Sequence, residues 1–489
     1  MNVRGKVVAL LVAGSLAVGA GGTYAGMSLF SDVEQGSTLL DKAAENGTNL
    51  KVGSSGTDEE FDKIEQTYEL ITEKYVEDVD KEKLLEGAIQ GMVNTLDDPY
   101  SVYMDPNTAK QFNDTLESSF EGIGAEVTMM DGYVTIVAPF ENSPAEKAGL
   151  KPHDQIVAIN GESTKGLELY EAVLKIRGKK GTTVKLEVKR AGVSNTLVIE
   201  VKRDEIPIET VYSEIIKKDG KKVGHLRITS FSENTAKDFE AHLKQLEDKN
   251  IDGLIIDVRG NPGGFLNSVR DIAKPFITKA EPIVQIEART GEKQRFFSNT
   301  TDKKDYPIVA LIDNGSASAS EILAAALKEA GGYDVVGVRS FGKGTVQQAV
   351  EMDDGSSIKL TMFKWLTPDG NWIHKEGVKP TVKVEQPDFY RANPITIEKP
   401  LEYDMTGEQV KNVQTILKGL GFNPARTDGY FDQKTETAVK AFQNANDLSP
   451  TGKVDKDTAT MMEKKLLEKI DSGDNDQQLK TALEVLFND

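Results

Sequence analysis

The sequence predicts a multidomain α+β protein with a helical N-terminal region, a β-rich module, an α/β core and a small all-α C-terminal domain. Three observations carry that expectation. A chain of 489 residues is longer than one hydrophobic core organises. The apolar period also changes along it. Helical 3-4 spacing runs over 61–96, short strands with turn signals over 120–203, alternating strands and helices over 206–384, and helical spacing returns beyond 401. Finally, polar or Pro-rich stretches at 32–57 and 385–400 separate these regimes. The division expected is an apolar N-terminal segment (1–31), a linker (32–57), the helical region (58–116), the β-rich module (117–205), the α/β core (206–384), a second linker (385–400), the helical domain (401–468) and an acidic tail (469–489).

Composition narrows the chemistry. A hydrophobic content of 38% with mixed charge suits a globular body, and a net charge of -19 argues against nucleic acid as a partner. The absence of Cys excludes thiol catalysis, Cys-ligated metal and disulfides. The four His residues, His153, His225, His242 and His374, fall in no HExxH and at no metal-ligand spacing. Neither metal nor cofactor is expected, while a Ser-His arrangement using one of the four stays open.

Arg4 and Lys6 precede an uncharged stretch over 7–31. Its most apolar part, 7–18, has the length of a signal-peptide core. As a helix the whole stretch also spans a hydrocarbon layer of ~30 Å, which makes it either a signal peptide or a membrane anchor with the basic end inside. Next, Phe61, Ile64, Tyr68, Ile71 and Tyr75 mark one amphipathic helix. Leu85, Ala88, Ile89, Met92, Val93 and Leu96 mark a second, ended by Asp97-Asp98-Pro99. Such a pair buries its stripe against the body or against a second copy; the latter would make a homodimer through the N-terminal helices.

In the β-rich module, Met130-Asp131-Gly132-Tyr133 and Asn160-Gly161 read as hairpin turns. Gly122-Ile123-Gly124-Ala125, Ser143-Pro144-Ala145, Ala148-Gly149-Leu150 and the run from Asp154 to Gly161 follow in the order of a PDZ domain, which the module resembles. The resemblance implies that backbone N–H groups of Gly122, Ile123, Gly124 and Ala125 hold a peptide's terminal carboxylate. The peptide then adds as a strand beside a helix over 167–176. Arg177 follows that helix and precedes Gly178-Lys179-Lys180-Gly181. It is a candidate regulatory link, since a guanidinium there can fork onto acceptors of the core when a tail docks, a contact Lys cannot reproduce. The alternative is a solvated side chain.

The α/β core holds three strand-to-loop junctions. The run 254–259 ends in Gly260-Asn261-Pro262-Gly263-Gly264, which lacks the Lys-Ser/Thr of a P-loop and the GxGxxG spacing. The run 308–312 stops at Asp313-Asn314-Gly315, then Ser318-Ala319-Ser320-Glu321 enters an Ala/Leu-rich helix. The run 335–338 leads to Gly342-Lys343-Gly344. Loops after strands are where α/β folds place their chemistry. A Ser nucleophile needs a neighbour to take its proton, and unpaired N–H groups at a helix start hold an oxyanion. A Lys titrating near ~10.4 must be desolvated to act as that neighbour. On spacing alone, Ser318 and Ser320 serve equally as helix caps and Lys343 as a solvated charge.

The strings GSASASEILAAAL and FGKGTVQ resemble the motifs of the carboxyl-terminal processing peptidases, tail-specific serine proteases with a Ser–Lys dyad. The resemblance implies Ser318 as nucleophile, Lys343 as base and Gln347 as the group that orients the lysine. It also implies an oxyanion hole formed by the N–H groups of Gly264 and Ala319. Beyond the core, Val410-x-x-Val413-Gln414 recurs as Val439-x-x-Phe442-Gln443, around Asp428-Gly429-Tyr430-Phe431-Asp432 and Thr451-Gly452. This resembles a small peptidoglycan-binding domain, with a plain helical appendage as the alternative. Leu479, Leu483 and Leu486 mark a short helix in the acidic tail. The expectation is a serine endopeptidase outside the cytoplasmic membrane, anchored or secreted and associated with the cell wall, that captures protein C-termini and cleaves them. Its rival is a non-catalytic, wall-bound PDZ scaffold. A wall hydrolase is disfavoured by the lack of a recognisable glycosidase carboxylate pair or zinc ligands.

Overall fold

The computed structural model describes residues 58–487 apart from 117–118, 131, 141, 168, 191–192, 194 and 398. The apolar N-terminal segment and its linker lie outside the described residues. Among the described residues no helix is long and apolar enough to cross a membrane.

Helices α1 (Asp58–Lys74) and α2 (Lys81–Asn94) form where the 3-4 spacing predicts them. Asp80 caps α2, its Oδ1 accepting the amides of Glu82 and Lys83. Their apolar stripe stays open in the single chain: Phe61, Ile64, Leu70, Tyr75, Leu85 and Met92 are exposed. Strand β1 (Val102–Met104) and helix α3 (Pro106–Leu116) then bring the chain onto the core.

Strand β2 (Ser119–Gly122) leads into the β-rich module, built from β3 (Ala125–Met130), β4 (Tyr133–Pro139), α4 (Pro144–Lys147), β5 (Gln155–Ile159), β6 (Glu162–Ser163), α5 (Leu169–Ile176), β7 (Thr183–Lys189) and β8 (Leu197–Lys202). Its sheet runs β3-β4-β5-β7-β8 with β6 beside β5. The Asn160-Gly161 turn has φ of 52° and 84°, the double positive φ a type I′ hairpin requires, and it joins β5 to β6. Buried Arg203 donates from Nε and Nη2 to the carbonyls of Ile176 and Lys175, placing a cation at the negative end of α5. Strand β9 (Asp204–Pro207) pairs with β2, Ser119 opposite Pro207, so the module enters and leaves through one two-stranded ribbon.

The core sheet has the order β10-β11-β12-β15-β16-β19, formed by β10 (Val211–Lys218), β11 (Lys221–Ile228), β12 (Gly253–Asp257), β15 (Ile308–Ile312), β16 (Asp334–Gly337) and β19 (Val382–Lys383). All pairings from β11 onward are parallel. Leu254, Ile256, Ile308, Ala310 and Ile312 face α6 (Thr235–Glu247), α7 (Leu266–Ala273) and α8 (Ala319–Ala325). Ile255, Val309, Leu311 and Val336 face the other side. Burial on both faces is why these strands read as unbroken apolar runs. A second, antiparallel sheet joins β1, β13 (Pro282–Ala288), β14 (Lys293–Phe297), β17 (Thr345–Glu351) and β18 (Ser357–Leu366).

The C-terminal helices α9 (Glu408–Gly419), α10 (Gln433–Ala445) and α11 (Lys456–Asp471) close on Val413, Ile416, Phe431, Val439, Phe442 and Met462. The repeated glutamines have one job each. Gln414 accepts the Gly429 amide at 2.9 Å and donates to the Tyr430 carbonyl at 2.8 Å. Gln443 does the same with Gly452 at 2.9 Å and Lys453 at 2.8 Å. Phe389 and Ile395, from the stretch expected to be a linker, are part of this core.

The acidic tail differs from the sequence expectation. Its helix forms as α12 (Gln477–Val485) and lies on the open face of the core sheet, where Ala482 and Leu486 pack against the cluster of Ile255, Val309, Leu311 and Val336. Two-sided burial of a parallel sheet demands such a cover. Gln386 donates to Asp476 at 2.7 Å and accepts the Gln477 amide at 3.0 Å, so the chain leaves and rejoins the core at one point. The helical domain is therefore an insertion between β19 and α12. Ending the chain at residue 400 is expected to destabilise the core by several kcal/mol, since each large apolar side chain lost from such a layer costs roughly 2–5 kcal/mol. Replacing 388–474 by a short Gly-Ser link keeps α12 and should leave core melting near that of the full chain. Thermal unfolding of the two proteins side by side checks this; equal melting temperatures would show that α12 contributes nothing.

Candidate active site

Strands β12, β15 and β16 lie side by side and parallel, so their three following loops meet at one edge of the sheet. The first loop is Gly260 to Gly264, the second ends at Ser318, and the third carries Lys343. Ser318 sits directly before α8 with φ 55° and ψ -112°, a strained conformation for a residue with a side chain. The glycine loop lies over it. A Cβ added at Gly263 would stand 2.8 Å from the Ser318 Cβ and 3.0 Å from the Ala319 nitrogen. One at Gly264 would stand 2.2 Å from the Phe231 carbonyl oxygen. Both positions have positive φ, 108° and 149°, so only glycine fits. Asn261 holds the loop in shape: its Oδ1 accepts the Gly263 amide at 2.8 Å and its carbonyl accepts the Ala317 amide at 3.0 Å. The Ser320 hydroxyl donates to the same carbonyl at 2.8 Å, and Ser316 donates to the Val258 carbonyl at 2.8 Å. The two flanking serines thus staple one loop to the other.

Glu321 joins the second loop to the third. Its carboxylate is fully buried and accepts four hydrogen bonds. Oε2 receives the amides of Ser318 at 2.9 Å and Lys343 at 2.8 Å; Oε1 receives the Gly342 amide at 2.7 Å and the Ser340 hydroxyl at 2.5 Å. The backbone nitrogens of Ser318 and Lys343 are therefore both within 2.9 Å of one oxygen atom. Burial pushes this carboxyl above its ordinary value, and the four donors pull the other way.

Lys343 is 3% exposed. Burial, then the nearby charge of Lys359, pushes its amine down to about 7, against the attraction of Glu321 and Asp98. Its Nζ lies over the Tyr100 ring, 4.9 Å from the centroid. Lys359, buried on β18, is itself pushed down to about 8, chiefly by burial, with its Nζ 5.2 Å from the centroid of Phe112. Gln347 is buried on β17, its Nε2 donating to Thr345 at 2.9 Å and Thr361 at 3.0 Å, which fixes how the amide is turned. The structure thus brings Ser318, Ala319, Gly264 and Lys343 to one edge of the core and sets Gln347 on strand β17, which follows the Lys343 loop.

The β-rich module holds the other candidates. Gly122, Ile123 and Gly124 are buried, and Ala125 opens β3. Gly124 has φ 72°, and a Cβ there would stand 2.6 Å from the Ser143 Cβ. The carbonyls of Ile123 and Gly124 accept the amides of Ala145 and Phe140 at 2.8 and 2.9 Å, which ties the loop inward. Arg177 is exposed. Its guanidinium lies over the Phe120 ring at 4.7 Å, at the root of the β2–β9 ribbon.

Sequence reasoning missed the surroundings of Lys343. Asp98-Pro99-Tyr100-Ser101 reads as a helix stop, yet Asp98 accepts the Ser101 hydroxyl at 2.6 Å and Ser101 accepts the Thr361 amide at 3.0 Å. That knot sets Tyr100 beside Lys343. Glu321 stands in the sequence only as the residue after Ser320 at the helix entry. Among the described residues no group of His, Asp and Glu is placed to hold a metal ion.

The comparisons with known proteins agree with this arrangement. The model of peptidase family S41 matches residues 222–384, that of the activating protease CtpB N-terminal domain 16–108, a PDZ domain 122–201 and a peptidoglycan binding domain 406–462. The carboxy-terminal processing protease CtpB of Bacillus subtilis is 55% identical over 482 residues, covering 99% of each chain. The chain belongs to peptidase family S41. CtpA of the same organism is 47% identical over 436 residues, 89% of this chain and 92% of that one. As a member the chain is a carboxyl-terminal processing serine protease with PDZ and peptidoglycan-binding domains.

Peptide hydrolysis by this family member should carry the titration of its buried lysine. A lysine that accepts a proton works in the neutral form, so kcat/KM is expected to rise with pH through about 7. Lys359→Met removes a like charge that holds Lys343 down, so the acid limb should move to higher pH. A limb unmoved in Lys359→Met, or one lying near pH 10 in the wild type, contradicts this electrostatic account.

Proposed function

We propose that this protease captures the C-terminal tails of extracytoplasmic proteins in its PDZ groove and cleaves them with a Ser–Lys dyad. The observation that carries the proposal is the shared Glu321 oxygen, which ties the backbone of Ser318 to that of a desolvated Lys343. The Ser318 hydroxyl gives its proton to the Lys343 Nζ as Oγ bonds to the scissile carbonyl carbon. The oxyanion so formed takes the N–H groups of Gly264 and Ala319. The C–N bond then breaks, the leaving amine receives the proton from Lys343, and water releases the acyl group by the reverse route. Gln347, whose amide is turned by two threonines, is proposed to orient the lysine. Backbone N–H groups of Gly122, Ile123, Gly124 and Ala125 hold the tail's carboxylate.

The remaining parts suit a site at the cell wall. The helical domain resembles peptidoglycan-binding modules, and the relatives are carboxy-terminal processing proteases. The sequence of 1–31 suits a signal peptide or anchor, and the open stripe of α1 and α2 suits pairing of two copies. The competing reading, a wall-bound PDZ scaffold, has no use for the strained Ser318 or the buried lysine.

A protein substrate with a flexible C-terminus, digested by the pure enzyme and read by mass spectrometry, tests the proposal. Ser318→Ala and Lys343→Ala are each expected to abolish cleavage without unfolding the protein, and the double variant should lose no more than either single one. Full activity in folded Lys343→Ala would refute the dyad. For Arg177, resting on Phe120 where the PDZ ribbon starts, tail docking is proposed to move the guanidinium onto the core. Arg177→Ala should lower kcat strongly while tail-peptide affinity stays near wild type. A loss matching the drop in peptide affinity would remove the regulatory role.

A further inference from the structure

We propose that Asp476, at the head of the C-terminal helix, is a positioning residue for the oxyanion loop and acts through Arg259. The inference rests on the reading that Gly264 donates to the oxyanion. Arg259 stands between the end of β12 and Gly260, so it is the root of that loop. Its guanidinium forks in two directions. Toward its own strand, Nε donates to Asp257 Oδ1 at 3.0 Å and Nη2 to Oδ2 at 2.7 Å. Toward the C-terminus, Nη1 donates to Asp476 Oδ1 at 2.9 Å, Nη2 lies 2.8 Å from Asp476 Oδ2, and Nη1 reaches Gln478 Oε1 at 3.3 Å. Arg259 and both aspartates are largely shielded from water, which makes paired, forked contacts of this kind directional and strong.

Asp476 is itself fixed. It caps α12 by accepting the Leu479 amide at 2.8 Å and also accepts from Gln386 at 2.7 Å. Gln478 donates to the Val384 carbonyl at 3.0 Å, next to strand β19. The last helix, separated in sequence from the core by the whole wall domain, thus completes the anchorage of a loop whose far end lies against Ser318. Behind Asp257 the same chain of contacts continues through His225 to Glu214, at 3.2 and 3.0 Å, and so spans the sheet. On its other side the loop root is held by Asp313, which accepts the Gly260 amide at 2.8 Å. With the Asp476 anchor gone, Arg259 keeps Asp257 and the longer contact to Gln478, and the loop rests on Asp313 and Asn261. An oxyanion donor displaced by a fraction of an ångström stabilises the transition state less while substrate binding is little changed.

The test uses the full-length enzyme. For Asp476→Ala we expect kcat to fall about ten-fold or more with KM little changed. Phosphonylation of the active-site serine by a fluorophosphonate, whose phosphoryl oxygen enters the oxyanion hole, should slow in parallel. Asp476→Glu, which keeps the charge and both oxygens, should recover most of the rate. Leu483→Ala loosens α12 on the sheet without touching Arg259; it should lower the melting temperature yet hold kcat near wild type below the transition. Wild-type kcat in Asp476→Ala overturns the inference, as does an equal loss of kcat in Leu483→Ala at matched folded fraction. A fluorophosphonate that fails to label Ser318 in the wild type instead overturns the dyad reading, so the two failures are distinct.

Discussion

The buried carboxylate of Glu321 is the constraint on which the site depends. Its four donors come from the loops after β15 and β16, two parallel neighbours that the Phe341 amide, donating to the Ser316 carbonyl, also links. Taking a carboxylate out of water costs several kcal/mol unless its oxygens are saturated, and here each oxygen has two donors. The same bonds offset the strain at Ser318. The Ser318 amide donates to the third residue of α8, where the Glu321 carboxylate accepts it at 2.9 Å and an Asp would fall one methylene short. Glutamine at 321 would present an NH₂ to two of the four donors and leave them facing a like group, each at about 1–3 kcal/mol. A single side chain thus sets serine backbone, lysine backbone and the path of the Gly342 turn.

The second constraint is the lysine. Moving its amine from 10.5 to about 7 corresponds to on the order of 5 kcal/mol of lost charge stabilisation. That cost is met by the core, since Lys343 lies between the antiparallel sheet and the Asp98–Ser101 knot. Lys359 deepens the effect because two buried ammonium groups in one region disfavour each other. The Tyr100 ring favours the charged form, but a face contact of about 0.5–2 kcal/mol is smaller than the desolvation it opposes. Burial therefore wins, and the lysine is poised to be neutral near physiological pH.

Much of this was legible in the chain, for reasons that differ by element. The parallel strands announced themselves because burial on both faces leaves an unbroken apolar run. The serine and lysine loops stood out because glycines and small residues must follow such strands where backbone crowds, as Gly263 and Gly264 show. What escaped was set by contacts distant in sequence. Tyr100 reaches Lys343 across more than two hundred residues, through a knot that looks locally like a helix stop. Asp476 looks locally like a helix cap, which it is, and nothing near it in sequence reveals Arg259. The stretch 385–400 reads as a linker by its prolines, yet Phe389 and Ile395 are buried, because a Pro-rich segment without regular structure can still pack.

The accessory modules share one topological device. The PDZ module leaves and rejoins the chain through the β2–β9 ribbon, and the helical domain through the meeting of Gln386 with Asp476 and Gln477. A domain on one flexible linker explores orientations freely, whereas one held at two adjacent points loses most of that freedom. Each pair of anchors also lies next to a candidate site residue: the ribbon carries Phe120 beneath Arg177, and Asp476 holds Arg259 at the root of the glycine loop. Insertion rather than appending therefore places both modules in register with the site. It also explains why the last helix of the chain belongs to the protease and not to the domain that precedes it. A parallel sheet of this kind is covered on both faces, and here the second cover comes from the far end of the sequence.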